Sequence, residues 1–289
     1  MSFAPLLAFD TSTEWMTVAV QGPAGERLAL EAGGALASAA LLPCIHRLLS
    51  DAGLTLRDVS AIAFGQGPGA FTGLRTSCAV AQGLAFGLGC PLLPVDSLLI
   101  VAEDARMQAV PEASEAAEFE VNVLMDARMN EAYAGCYRWV AGRWQTLAAP
   151  ALYSLPVLAG MLDPATPGVW FAGSALAAFG ERLGLPPGVR SVPGERHRAA
   201  ALMRLARSLH DAGAGVDAAD ALPLYLRDKV ALTTREREAV KADKVAAESV
   251  GEKAAEKAAE KAARNAEEGS AKRAAAKAAA AAAPDRAAR

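Results

Sequence analysis

The stretch Ala61-Ile-Ala-Phe-Gly-Gln-Gly-Pro-Gly-Ala-Phe-Thr-Gly-Leu-Arg75 reads as a buried strand, a glycine-rich loop and the start of a helix. Such a junction aims backbone N–H groups at a point where phosphate can be held. Gly65, Gly67, Gly69 and Gly73 leave no Cβ in the way, and Thr72 is placed to cap the helix that Arg75 enters. Downstream, helix 73–88 carries Ala79, Val80, Ala81, Leu84, Ala85 and Leu88 with Gly83 and Gly87, so small and apolar residues cover nearly its whole circumference. A helix of that kind is buried on most sides, either within its own lobe or against a partner helix. The charge-free run 76–95 reaches 20 residues, yet Gln82, three glycines and two prolines mark a buried helix followed by a strand at 92–95, not a membrane span.

Upstream of the loop, Leu6–Asp10, 17–20 and 27–31 read as three strands joined by the polar turn at Thr11 to Glu14 and by Gly22-Pro23. A helix follows, with Leu41, Leu42, Ile45, Leu48, Leu49 and Ala52 on one face and Gly53 at its end. The order βββαβα begins again at Val121, with strands at 132–138 and 143–148, a helix at 155–162, strand Val169–Ala172 and a helix at 176–183. His197 and His210 flank one more helix, a polar one. Residues 111–120 separate the two copies. The expected class is therefore α/β, with one lobe at 1–110, a second at 111–234 and a tail at 235–289. In that tail Glu-Lys-Ala-Ala runs three times from Glu252, and no side chain from there on builds a core. It is expected to be solvated and partly helical or disordered, with Lys272, Arg273, Lys277, Arg286 and Arg289 available for a weak tRNA contact.

Bulk properties narrow the function. At 289 residues with 53% hydrophobic and 21% charged residues, the chain folds without staples. From Arg235 onward 13 basic residues face 10 acidic ones; that leaves 16 basic against 22 acidic, or −6, for residues 1–234. An acidic body does not grip nucleic acid by itself. Cys44, Cys78, Cys90 and Cys136 form no C-x-x-C pair, and the first ten residues carry no basic leader, so a reducing cytoplasm is expected and secretion is not. His46, His197 and His210 are not spaced as metal ligands, and no G-x-S-x-G elbow or catalytic cysteine setting is present.

Two motifs bear on phosphate. Gly65-Gln-Gly-Pro-Gly-Ala70 satisfies G-x-G-x-x-A, but Pro68 to Phe71 intervene before the helix, and Asp96 lies later than the ~20 residues of the dinucleotide fingerprint. The segment has no lysine, so it is not a P-loop. Asp10-Thr11-Ser12-Thr13 either forms a plain hairpin turn or places hydroxyls around a phosphate, with Asp10 holding a metal or water and Gly67 and Gly69 opposite.

Phe9-Asp-Thr-Ser-Thr13, Gly67-Pro-Gly-Ala-Phe-Thr-Gly-Leu-Arg75, Val123-Leu-Met-Asp-Ala-Arg128 with Glu131-Ala-Tyr133, and Pro223-Leu-Tyr-Leu-Arg-Asp-Lys-Val-Ala231 resemble the TsaB (YeaZ-like) family. That family supplies the dimerisation subunit of the bacterial tRNA threonylcarbamoyladenosine (t6A) machinery. The resemblance covers about residues 5–233, with Ala70 in place of the serine common there. It implies a two-lobed actin-like ATPase fold. It also implies a noncatalytic scaffold that pairs with the catalytic paralogue TsaD and is joined by the ATPase TsaE. The implied complex transfers a threonylcarbamoyl group to N6 of adenosine 37 in tRNAs reading A-starting codons. On this reading the chain binds no cofactor tightly, ATP belongs to the complex, and tRNA is met through the complex. The pairing helices are those near 38–52 and 73–88, with Leu41, Ile45, Leu48, Leu74, Ala81 and Leu84 as interface residues, and a homodimer through the same helices and a monomer are the alternatives for the chain alone. Asp10, Thr11, Ser12, Thr13, Gly67 and Gly69 become a vestigial nucleotide cleft. The catalytic paralogue carries a His-x-x-x-His metal pair where this chain has Val95-Asp-Ser-Leu-Leu-Ile-Val101. The alternative is an ATP-dependent small-molecule kinase of the same fold.

Overall fold

Strand β1 (Leu6–Asp10) divides its side chains between two cores: Leu7 and Phe9 face one, Leu6 and Ala8 the other. A strand covered on both faces reads as a continuous apolar run, which is why this segment shows no alternation. The computed structural model describes residues 4–110, 118–162 and 168–227, all within one compact unit. Strands β2 (Trp15–Gly22) and β3 (Gly25–Ala32) add to β1 antiparallel. Strands β4 (Ala61–Gly67) and β5 (Leu92–Asp96) add in parallel on its other side, reached through helices α1 (Ala37–Asp51) and α2 (Phe71–Leu88). The sheet order is β3-β2-β1-β4-β5, and α3 (Ser97–Ala109) closes the half.

The second half repeats the first. Strands β6 (Phe119–Asp126), β7 (Glu131–Val140) and β8 (Arg143–Ser154) lead to α4 (Leu155–Met161), β9 (Val169–Ala172), α5 (Ala175–Phe179), β10 (Ser191–Val192) and α6 (Arg198–Asp211). Its sheet order, β8-β7-β6-β9-β10, is the same succession. Each half is thus βββαβαβα: the strand read at 92–95 and the helix read between His197 and His210 belong to the repeat, and α3 and β10, absent from the sequence reading, complete it. The architecture is the two-lobed actin-like α/β fold.

The additional helices join the halves. Helices α1 and α2 pack on one face of the first sheet, through Leu41, Ile45, Leu48, Cys78 and Ala81. The opposite face is covered by α6, whose Ala201, Leu202, Leu205 and Ala206 meet Leu6, Ala8, Ala19, Ala61 and Ala63. In return α3 sets Leu98, Val101, Ala102 and Ala105 against Phe119, Val121 and Val123 of the second sheet. The last helix of each half therefore covers the other half's sheet. Both exchanges are capped by aspartates. Asp96 accepts the Leu98 N–H at 2.8 Å to start α3, and its second oxygen receives the Tyr137 hydroxyl of β7 at 2.5 Å. Asp104 of α3 accepts the backbone N–H groups of Arg196 and His197 and so starts α6. Burial pushes the Asp96 and Asp104 carboxyls above their ordinary range, and these donors oppose it.

Tyr137→Phe should therefore lower stability by ~1–3 kcal/mol, because a buried carboxylate loses a donor that water cannot replace. Urea denaturation checks this, and a loss of a few tenths of a kcal/mol or less would show that the bond joins nothing.

Several element ends differ from the sequence reading. Helix α2 begins at Phe71, with Ala70 as its cap residue and no side-chain cap bond. Thr72 is not the cap: it lies in the first turn, and its carbonyl accepts the Thr76 hydroxyl at 3.0 Å. Strand β8 runs to Ser154 rather than 148, and the helix read at 176–183 is α5 followed by a 3-10 turn at Gly180–Leu183. The tail 235–289 with its basic residues, the end of the Pro223 to Ala231 motif, and most of the 111–120 junction lie outside the described residues. Among the described residues no helix is long and apolar enough to cross a membrane.

Candidate functional site

The Asp10 turn closes on itself before anything else reaches it. The Ser12 N–H donates to Asp10 Oδ1 at 2.7 Å and the Ser12 hydroxyl to Oδ2 at 2.9 Å, which is the local bonding that Asp and Ser favour in turns. Thr11 is fixed from α2: its N–H donates to Ser77 Oγ at 2.9 Å and its hydroxyl to the Gly73 carbonyl at 2.7 Å. Thr13 bonds only to Trp15 of the same hairpin, at 3.1 and 3.2 Å.

The glycine loop seats directly on this turn. A Cβ at Gly73 would lie 1.8 Å from the Thr11 carbonyl oxygen, one at Gly69 2.5 Å from that of Ser12, and one at Gly65 2.2 Å from the Asp10 carboxyl carbon. No side chain fits in those spaces. The Ala70 N–H, which opens α2, is donated to the Ser12 carbonyl at 2.7 Å. The Gly67 N–H goes to Ser97 Oγ at 3.1 Å. Two of the loop's backbone donors, those of Gly67 and Ala70, are thus spent on the protein.

The remaining face of Asp10 is taken by an arginine. Arg198, at the start of α6 and 1% exposed, donates Nη2 to Asp10 Oδ2 and Nη1 to Glu195 Oε2. Ser97 Oγ lies 3.5 Å from the same Asp10 oxygen. Burial alone would lower the Arg198 pKa; Glu195 and Asp10 outweigh it and hold the guanidinium above its ordinary value. Burial pushes the Glu195 carboxyl up, with Arg198 opposing. The residues around Asp10 therefore do not fit a nucleotide phosphate or its metal. Among the described residues, no group of three His, Cys, Asp or Glu is placed to hold a metal ion.

The last described segment straps both halves together. Val216 exchanges backbone bonds with Leu92 at 2.8 and 3.0 Å. Gln82 then donates to the Ala218 and Ala221 carbonyls and Gln66 to that of Leu222, while the Leu224 N–H returns to the Gln66 carbonyl at 2.8 Å. Tyr225 packs on Phe71 and accepts from Arg75 Nε at 3.1 Å, and Arg227 donates to the Ala127 carbonyl and to Glu131. The glutamines were missed from the sequence, although Gln82 is the lone strongly polar side chain in its apolar run.

The six residues read as a partner interface are turned elsewhere. Leu41, Ile45, Leu48 and Ala81 are buried in this chain's own first core, and Leu74 is buried as well. Leu84 is half-buried against that core. Burial on one face of a helix is what an amphipathic period reports, and it does not say which molecule does the burying. The exposed face of α2 is instead Thr72, Arg75, Ala79, Gly83, Phe86 and Gly87, with Phe86 87% exposed. On α1 Leu42 is 41% exposed, and Leu36, just before that helix, 65%.

A family model described as TsaD, tRNA N6-adenosine threonylcarbamoyltransferase, matches residues 35–287. The Escherichia coli K12 protein named tRNA threonylcarbamoyladenosine biosynthesis protein TsaB is 30% identical over 230 residues, spanning 78% of this chain and 96% of that protein. The chain belongs to the TsaB family. The Haemophilus influenzae TsaB is 41% identical over 128 residues, a match that spans 44% of this chain and 51% of that protein. A Pseudomonas aeruginosa crystal structure, described as similar to the peptidase YeaZ, superposes with a TM-score of 0.69 at 37% identity, covering 78% of this chain and all of that one. In this TsaB-family chain the segment Val95 to Val101 ends β5 and begins α3, with Asp96 as cap. It holds no histidine.

Proposed function

We propose that this chain is the noncatalytic scaffold of tRNA threonylcarbamoyladenosine synthesis, acting in the cytoplasm by pairing with the catalytic paralogue TsaD, with the ATPase TsaE joining the pair. One observation carries the pairing: α2 presents Ala79, Gly83 and Gly87 around the exposed ring of Phe86. Scattered exposed apolar residues need no explanation, but a bare ring on a helix face of glycine and alanine does. Small residues let a second helix approach closely, and the ring gives it an anchor. The same face serves a homodimer when the paralogue is absent. Scaffolding rather than catalysis is supported by the residues at 95–101, where no imidazole is present to ligate a metal. The kinase reading needs a free Asp10, and that carboxylate is bonded to Ser12 and Arg198.

The purified chain is expected to transfer no threonylcarbamoyl group to tRNA. Activity is expected only when TsaD, TsaE, the adenylate-forming synthase, ATP and tRNA are present with it. Robust transfer by the isolated chain would overturn the scaffold reading, and full activity of the other components without it would make the chain dispensable.

A further inference from the structure

Arg198 heads the largest fully buried side chains among the described residues, and it occupies the first position of α6. Helix chemistry does not favour it there, because the N-terminal end of a helix carries the positive end of its dipole. The reason for the arginine lies 188 residues away, in the carboxylate that ends β1. A buried carboxylate without a counter-charge is strongly disfavoured, and the chain has no lysine before residue 229 to supply one. Strand pairing places Thr17 opposite Asp10, so their side chains share the face that α6 covers. Among the described residues two buried side-chain polar atoms lack a hydrogen-bond partner, Thr17 Oγ1 and Arg198 Nε. One belongs to the residue paired with Asp10 across the strands and the other to its ion-pair partner. The best-attested use of a buried ion pair is to fix one arrangement among several.

We infer that Arg198 is a built-in cation at the Asp10 turn, taking up the carboxylate that would otherwise hold a metal and thereby fixing α6 onto the first half of the chain without any ligand. The turn and the glycine loop keep the polar residues of a phosphate cradle, and the protein fills it from within. Helix α6 is the element that gains. Its seat on β1, β2 and β4 is apolar and built largely from alanine, so hydrophobic contact alone leaves its register weakly specified. The Arg198–Asp10 pair sets that register at one end, and Glu195 holds the second arm of the fork from the residues just before the helix. The inference does not depend on the scaffold reading, since it concerns the free chain.

The test is a charge-specific rescue on the full chain. Arg198→Met should lower Tm by roughly 6–20 °C, as expected for breaking a buried ion pair in a body of this size. The pair Asp10→Asn/Arg198→Met should lie above Arg198→Met alone, because the amide no longer needs a counter-ion. Equal or lower stability of the pair overturns the inference. If Arg198→Met does not fold, the same comparison is made on soluble yield, where only the pair should recover protein. In Arg198→Ala, millimolar guanidinium chloride should raise Tm relative to equal sodium chloride, and the rise should vanish in Asp10→Asn/Arg198→Ala. A rise in both variants, or in neither, would show that Arg198 acts by bulk and not by charge. Calorimetric titration of the wild type with magnesium–ATP should give no saturable heat, and binding that Asp10→Asn abolishes would return the turn to a ligand.

Discussion

Gly73→Ala is expected to lower stability by about 3–5 kcal/mol and Tm by roughly 6–20 °C, although the substitution adds one methyl group to a helix. In an exposed helix interior alanine is favoured over glycine by ~0.5–1 kcal/mol. Here the sign reverses, because the added carbon would lie 1.8 Å from the Thr11 carbonyl oxygen and 2.8 Å from its carbon. Backbone must move on one side or the other. Moving α2 breaks the Thr11 bonds to Ser77 and Gly73, while moving the turn breaks the Ala70 N–H bond to Ser12 and disturbs Asp10. Gly83→Ala and Gly87→Ala are the controls within the same helix. Neither added carbon meets an atom within 4 Å, so each should stabilise the free chain by ~0.5–1 kcal/mol. Urea denaturation followed by circular dichroism reads all three, and a Gly73→Ala protein within ~0.5 kcal/mol of wild type would mean that the loop does not seat on the turn.

Such contrasts show where the sequence was legible. Strands β1 and β4, covered on both faces, were legible as short continuous apolar runs bounded by turns, α1 from its helical period, and the body of α2 from its small and apolar residues and glycine placement. Helix α3 gave no such signal. It is wedged between the second sheet and α6, so Leu98, Ile100, Val101, Glu103, Asp104 and Arg106 are all buried and no polar stripe remains. The charged members are satisfied from afar: Glu103 receives Arg106 and the Trp144 ring N–H, and Asp104 caps α6. Thr72 illustrates a local rule overridden by tertiary contact. Once the Ala70 N–H is taken by Ser12, the helix opens two residues earlier, at Phe71, and has no hydroxyl cap. The Asp10 site was legible as a turn and illegible as an ion pair, since Arg198 and Glu195 lie in a stretch whose sequence suggests only a polar helix start. No short-range pattern encodes a partner across so long a separation.

On the proposed pairing with TsaD through α2, Phe86→Asp is expected to weaken that pairing at least ~100-fold while leaving the free chain's stability within ~0.5 kcal/mol of wild type. The ring is 87% exposed in the free chain, so its loss removes little internal contact. If a partner helix packs on the glycine and alanine face, the carboxylate must be buried there without a counter-charge, and that is costly. Ala81→Glu, one and a half turns earlier, should behave in the opposite way. Ala81 is fully buried in the first core, so a glutamate there should cost several kcal/mol and yield unfolded protein whether or not a partner is supplied. Gly83→Ala separates the two effects within one substitution, because it should stabilise the chain and still weaken pairing by holding the partner helix off. Copurification of each variant with TsaD, read beside its thermal melt, decides the matter. A Phe86→Asp protein that retains wild-type pairing would place the interface on another face. Loss of pairing together with loss of folding would mean that Phe86 supports the chain itself, which its exposure argues against.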